Sequence, residues 1–332
     1  MLRRMIMCLL YIVVIAGCGG PKVVVYTALD EMYSRPILDE FESQTGIEVQ
    51  AVYDTEASKT TGLVTRLLQE KNRPRADVFW NNELVQTIRL KNEGVLAPYA
   101  SPAAKAILAR YKDLEGYWTG FAARGRVIIY NTDLVDEPPT SILDFLDEEW
   151  RGRAAIAKPL FGTTATHAAV LFEAWEDEEA EAFFLGLLKN EVAVLQGNAT
   201  VRDRVVAGEF AIGLTDTDDA NAAIEDGKSV KWLFPDQGPD ELGALIIPNS
   251  VALINNAPHP DAARKLIDFL LSPEVEEQLA NARSIQIPLN PAVPTPGKTP
   301  ELKGIKQMDV DFSAAAEKMP ASAAFILEEF IE

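Results

Sequence analysis

The chain has 332 residues, with 31 basic against 50 acidic side chains and a formal net charge of −19. That balance repels nucleic acid, and no basic stripe offsets it, so no nucleic-acid partner is expected. Two histidines, His167 and His259, cannot build a multi-histidine metal site, and two cysteines, Cys8 and Cys18, cannot supply a disulfide framework once the N-terminus is processed.

Arg3 and Arg4 precede an apolar run from Met5 to Ile15, which ends in Ile15-Ala16-Gly17-Cys18. A charged start, a short apolar segment and small residues before a cleavage point define a secretory signal over 1–17, too short to span a bilayer. The Cys18 context resembles the lipobox of bacterial lipoproteins, which implies lipidation at Cys18, a lipidated N-terminus over 18–21 and anchoring in the periplasm or at the cell surface. Two or three acyl chains, at about 0.8 kcal/mol per buried methylene, hold such a protein durably on a membrane. Cleavage takes the formal charge to about −21, because Arg3 and Arg4 leave with the signal. No later segment offers eighteen uninterrupted apolar residues, so the remainder is expected to be soluble.

Lys22 to Tyr26 is a continuous apolar strand, and Asp30 to Thr45 is a helix whose Ile37, Leu38 and Phe41 share one face. Pro36 fits only near the first turn of that helix, and Gly46 stops it. A strand over Ile47–Tyr53, a helix around Leu63–Leu68 and a strand over Ala76–Trp80 complete an α/β layer with a largely parallel sheet. The rhythm then repeats. Strands at Val127–Tyr130, Ala154–Ala157, Val192–Leu195, Phe210–Leu214 and Val230–Phe234 alternate with helices near Thr164–Trp175, Glu178–Lys189, Val201–Ala207 and Asp218–Glu225. Two sheets, and hence two lobes, are expected. Five prolines between Pro288 and Pro300 mark an extended connector, and Ala314–Ile331 returns to helix.

The stretches Val25-Tyr26-Thr27-Ala28, Phe41 to Val49, Ala76 to Trp80, Leu90 to Tyr99, Arg126 to Thr132, Gln196-Gly197-Asn198 and Val206 to Leu214, in that order, resemble the bacterial solute-binding proteins that feed ferric-iron ABC importers. The likeness covers essentially the whole mature chain. It implies an α/β bilobal periplasmic-binding-protein clamshell of type II character, with two discontinuous lobes and a hinge: 22–123 plus 247–297, and 124–246 plus 298–332. It further implies an interlobe cleft for a small solute or metal ion, an ABC permease and its ATPase as partners, a monomer, and no enzymatic activity or cofactor beyond Fe(III) or a divalent metal as cargo.

The resemblance places Asp218 and Asp219 where ferric members carry an adjacent tyrosine pair. Carboxylates are also hard donors for Fe(III), Ca²⁺ or Mn²⁺. Asp216 would support them, with Asp30 or Glu83 from the other lobe, although the run Thr215 to Asp219 can equally cap the following helix. Thr27, Asn81, Asn82 and Thr217 belong to the same strand-end loops, which is where open α/β sheets bind ligands. Ser58-Lys59-Thr60 and Gly162-Thr163-Thr164 open helices with hydroxyls, an ammonium and free backbone N–H groups, and Ala123 and Arg124 lie at the crossing between lobes. These residues suit a phosphonate or phosphate ester as the alternative solute. An enzyme alternative is a phosphatase of the haloacid dehalogenase type, since Asp216-x-Asp218 follows an apolar strand, but Ala220 stands where that motif has Thr or Val. A surface lipoprotein without a cleft ligand is a third class.

Overall fold

A computed structural model describes residues 20–54 and 61–331. Cys18, Ser58, Lys59 and Thr60 lie outside the described residues. The first lobe opens with β1 (Lys22–Thr27), α1 (Glu31–Thr45), β2 (Glu48–Tyr53), α2 (Thr61–Glu70), β3 (Val78–Asn81), α3 (Val85–Asn92) and β4 (Leu96–Ala97). A 13-residue strand, β5 (Thr119–Asn131), carries the chain across to β6 (Ala154–Ala157), α4 (Gly162–Ala174), α5 (Glu176–Lys189), β7 (Ala193–Leu195), α6 (Asn198–Val206), β8 (Ile212–Asp216), α7 (Thr217–Glu225) and β9 (Val230–Leu233). Then β10 (Ile246–Ile254), α8 (Pro260–Leu270) and α9 (Pro273–Asn281) return to the first lobe, and α10 (Phe312–Phe325) closes the fold.

In the first half-sheet β2, β1 and β3 pair in parallel and β10 joins β3 and β5 antiparallel. The second repeats the plan, with β7, β6 and β8 parallel and β5 antiparallel between β8 and β9. The expected two separate sheets are therefore one continuous hydrogen-bonded path. The reason is the length of β5: its residues up to Gly125 pair with β10, and those from Arg126 onward pair with β8 and β9. The half-sheets meet at β5, so a tilt between the lobes can bend that crossing while each half-sheet stays intact.

The crossing is held in an unusual backbone. Ala122 and Ile285 adopt left-handed φ of 44° and 40°, costly for residues with a Cβ. Buried partners fix Ala122: its N–H donates to Glu276 Oε1 at 2.6 Å, the Asn249 amide donates to its carbonyl, and the next residue, Ala123, exchanges backbone bonds of 2.7 and 2.6 Å with Ile287. Gly125 is required where it stands, since a Cβ there would run into the Phe234 ring. Arg124 and Arg126, on either side of it, are both buried, and alternation along a strand sends them to one face.

Behind the crossing, α10 packs on α4 of the second lobe and on α3 of the first. One apolar cluster accordingly runs through both lobes, from Val85 and Ile88 to Ala168, Phe172, Ala315 and Met319. A second cluster, including Val25, Phe41, Trp80 and Leu266, fills the other side of the first half-sheet. Each fully buried Val, Leu, Ile, Phe or Met among them contributes about 1.5–3 kcal/mol. Pro36 departs from the sequence expectation, for it lies inside α1, one turn beyond the first. The carbonyl that loses its helical donor belongs to Met32, which is 63% exposed and can use water instead.

Candidate functional site

Three helices of the second lobe begin at the same place. β8 ends at Asp216, and α7 starts at Thr217 with Asp218 and Asp219 in its first turn. α4 starts at Gly162, whose φ of 54° turns the chain into the helix, and α6 starts at Asn198. The first turns of α4, α6 and α7 all reach one cleft of about 270 Å³, which they share with Asp30, Tyr33 and Asn82 of the first lobe and Arg124 of the crossing strand. Helix N-termini present unpaired N–H groups and the positive end of the helix dipole, so such a convergence favours negative charge.

Each carboxylate of the acidic run faces an arginine. Asp216 accepts from Arg126 Nη1 at 2.7 Å, from Thr163 Oγ1 at 2.6 Å and from Asn198 Nδ2 at 2.9 Å. Asp218 Oδ2 lies 3.0 Å from Arg124 Nη1, and Asp219 Oδ1 lies 3.3 Å from Arg202 Nη1. Asp216 makes no side-chain cap to α7, so the capping alternative does not describe it; its oxygens tie α7 to β5, α4 and α6 instead. The Thr217 hydroxyl adds a second tie by accepting from the Gly125 N–H at 3.2 Å.

The three carboxylates each offer an oxygen within 4.8 Å of the others, a spacing a metal ion could bridge. The arginines change what that spacing does. Burial works against the charge on Arg124, but Asp218, then Asp216, Asp30 and Asp219, outweigh it and raise its pKa above the ordinary value. Arg202 is raised by the same opposition of burial against Asp219 and Asp203. Both guanidinium groups therefore stay protonated and neutralise the acids. Arg124 keeps Nε and Nη2 buried without a hydrogen-bond partner among the described residues. Burial, with Asp218 and Asp30 adding to it, pushes the Tyr33 phenol up to about 12, so it faces the cleft as a neutral hydroxyl.

Of the residues expected from sequence, Asp30, Asn82, Arg124, Thr163, Thr164, Asp216, Asp218 and Asp219 line the cleft. Thr27, Asn81, Glu83, Ala123 and Thr217 lie outside that lining and are buried. Thr27 Oγ1 accepts from the Leu29 N–H at 3.2 Å. Glu83 does not reach the cleft as a donor from the first lobe, because its oxygens are occupied: they accept from Asn81 Nδ2 at 2.5 Å, from the Gln86 N–H at 3.1 and 3.2 Å, and from Thr166 Oγ1 at 2.8 Å. Burial raises its pKa, and those hydrogen bonds offset part of the rise. The Thr166 bond joins the lobes at the back of the cleft.

Sequence reading missed Tyr33, Lys158, Asn198 and Arg202, all of which line the cleft, and Arg126 directly beneath it. The signal for Arg202 was present, since it stands one turn after Asn198, but starting the helix at Val201 concealed it.

Residues 37–309 match the family model described as "Bacterial extracellular solute-binding protein". Among curated relatives, Iron uptake protein A1 of Synechocystis is 28% identical over 81% of this chain and 74% of its own. A Putative 2-aminoethylphosphonate-binding periplasmic protein of Salmonella typhi is also 28% identical, over 76% and 72%. The crystal structure of iron-bound HitA from Pseudomonas aeruginosa superposes with a TM-score of 0.83 at 23% identity, covering 92% of this chain and 99% of that one. That superposition gives the bilobal clamshell fold. The matched proteins bind solutes and are not enzymes, which sets aside the phosphatase alternative, whose nucleophile Asp216 is in any case 2% exposed and held by Arg126. Among the described residues no helix is long and apolar enough to cross a membrane. The chain belongs to the family of bacterial extracellular solute-binding proteins.

Proposed function

We propose that the protein captures a small phosphonate or phosphate ester between its lobes and passes it to an ABC permease and its ATPase. The observation that carries this reading is the pairing of Asp216, Asp218 and Asp219 with Arg126, Arg124 and Arg202. With the acids neutralised, the surplus at the cleft floor comes from the first turns of α4, α6 and α7, from the edge of Arg124 that has no hydrogen-bond partner among the described residues, and from Lys158. A phosphoryl group supplies the matching charge and acceptor oxygens. Asp30, at the opposite wall, suits a cationic end of the same solute. Ser58, Lys59 and Thr60, which precede α2 in the sequence, are proposed to contribute hydroxyls and an ammonium to the anion. The relative from Salmonella typhi, named for an aminophosphonate, supports the same class.

Ferric ion as cargo is the second reading, supported by the iron-uptake relative and by the 4.8 Å grouping of carboxylate oxygens. It requires the ion to displace guanidinium groups from Asp218 and Asp219. A thermal-shift series on the chain from Gly20 onward separates the two: 2-aminoethylphosphonate at 100 times its Kd adds about 2.7 kcal/mol to stability. No shift with phosphonates or phosphate esters, together with a shift by ferric nitrilotriacetate, would reverse the order of the two readings. The lipid anchor is tested separately, because Cys18→Ser should release the protein from the membrane fraction.

A further inference from the structure

The cleft does not end at Tyr33. A second hollow of about 280 Å³ continues from it, and Met32, Tyr33, Arg202 and Ala222 line both. Its remaining lining is of a different kind. Val206 and Ala223 are apolar, while Asp203, Asp226, Lys228 and Arg283 place charges of both signs around them.

Those charges are arranged around Arg283, which the first lobe extends after α9 to the end of α7. Its Nη2 is 2.5 Å from Asp226 Oδ2 and donates to the Ala222 carbonyl at 2.8 Å, and its own carbonyl accepts from Asn221 Nδ2 at 3.0 Å. Arg283 Nε makes no hydrogen bond among the described residues, although it lies 3.9 Å from Glu225 Oε2. Lys228 is exposed and makes no ion pair among them. Lys228 thus stands beside two ion pairs, Arg283 with Asp226 and Arg202 with Asp203 at 2.8 Å, whose outer atoms still face the hollow. A single anion would be repelled by the carboxylates, and a single cation by Arg283 and Lys228. A zwitterion with its two charges on neighbouring atoms satisfies both sets.

We infer that this second compartment takes the α-amino-carboxylate end of a solute whose phosphoryl end occupies the first, so that the cargo is a phosphono or phospho amino acid. The inference rests on the phosphoryl reading of the cleft floor. The Tyr33 hydroxyl and the apolar edges of Ala222 and Val206 then flank the carbon linker between the two ends, and Arg283, already touching both lobes, couples the distal end to closure.

Isothermal titration with three probes tests it: 2-aminoethylphosphonate, pentylphosphonate and 2-amino-5-phosphonopentanoate. The last two share a chain length and differ by the amino acid head. Two or three partly exposed ion pairs correspond to about a tenfold preference for the headed compound. In Lys228→Ala, an exposed position whose change leaves the fold intact, that ratio should fall toward one. If 2-aminoethylphosphonate binds but the headed compound binds no tighter than pentylphosphonate, this inference fails alone. If none of the three binds, the phosphoryl reading fails and takes the inference with it.

Discussion

Arg124 Nη1, on the strand that joins the lobes, lies 3.0 Å from Asp218 Oδ2, in the first turn of the helix that floors the cleft. The contact ties the crossing strand to the solute site through two side chains that are almost fully buried. Removing one member of such a pair costs about 3–5 kcal/mol, because the other is left without its counter-charge. Arg124→Gln should therefore destabilise the protein by about 3 kcal/mol in urea unfolding. Arg124→Gln combined with Asp218→Asn should recover part of that loss, and an additive pair of penalties would mean that the two groups are not coupled.

Thr166 reaches Glu83 from the opposite lobe at 2.8 Å, away from the solute. Thr166→Val keeps the shape and removes the donor, which should cost about 1 kcal/mol and increase the radius of gyration of the solute-free protein in small-angle scattering. An unchanged radius would show that α10, packed on α3 and α4, holds the lobes without it.

His167 is buried beside Arg126, and burial first, then that guanidinium, lower its pKa from 6.5 to about 3. A depressed value means that the unfolded chain takes up the proton first as pH falls. The associated stability is complete above pH 6.5 and is lost between about 6.5 and 3, amounting to about 5 kcal/mol at most. Glu83 and Glu276, raised by burial, act in the opposite sense. Comparison with His167→Phe isolates the imidazole: between pH 7 and pH 5 the variant should lose less stability than the parent. Equal losses would place the titrating group elsewhere.

Ala122 holds φ of 44° within β5. Glycine in a strand ordinarily costs about 0.5–1 kcal/mol, but here it relieves left-handed strain of about 1–2 kcal/mol. Ala122→Gly should be neutral or stabilising by thermal melting, whereas a clear drop in Tm would mean that the Ala122 methyl packs more favourably than its backbone is strained.

The regular elements were legible because burial and periodicity coincide in them. Lys22–Thr27, buried at every second residue and then throughout its end, reads as a strand from its valines alone. The joining of the half-sheets was not legible, because nothing in Ala122 to Arg126 announces that pairing changes partner at Gly125. The acidic run was legible as a cleft feature, and eight of the proposed residues do line the cleft. Its charge state was not. The three arginines that neutralise it come from other elements, two from β5 and one from α6, and only the fold brings them to it. Glu83 shows the converse, a carboxylate at the right place in the chain that three neighbouring donors turn away from the cleft.

Arginine-paired aspartates and converging helix starts together make an anion site under the phosphoryl reading. Isothermal titration of 2-aminoethylphosphonate and of ferric nitrilotriacetate, each into the parent, Arg124→Gln and Asp218→Asn/Asp219→Asn proteins, tests it most directly. One phosphonate should bind per chain, weakened at least about tenfold by Arg124→Gln, with no ferric binding that depends on the aspartates. Stoichiometric iron uptake that the double aspartate variant abolishes, with no phosphonate heat in any of the three proteins, would contradict it.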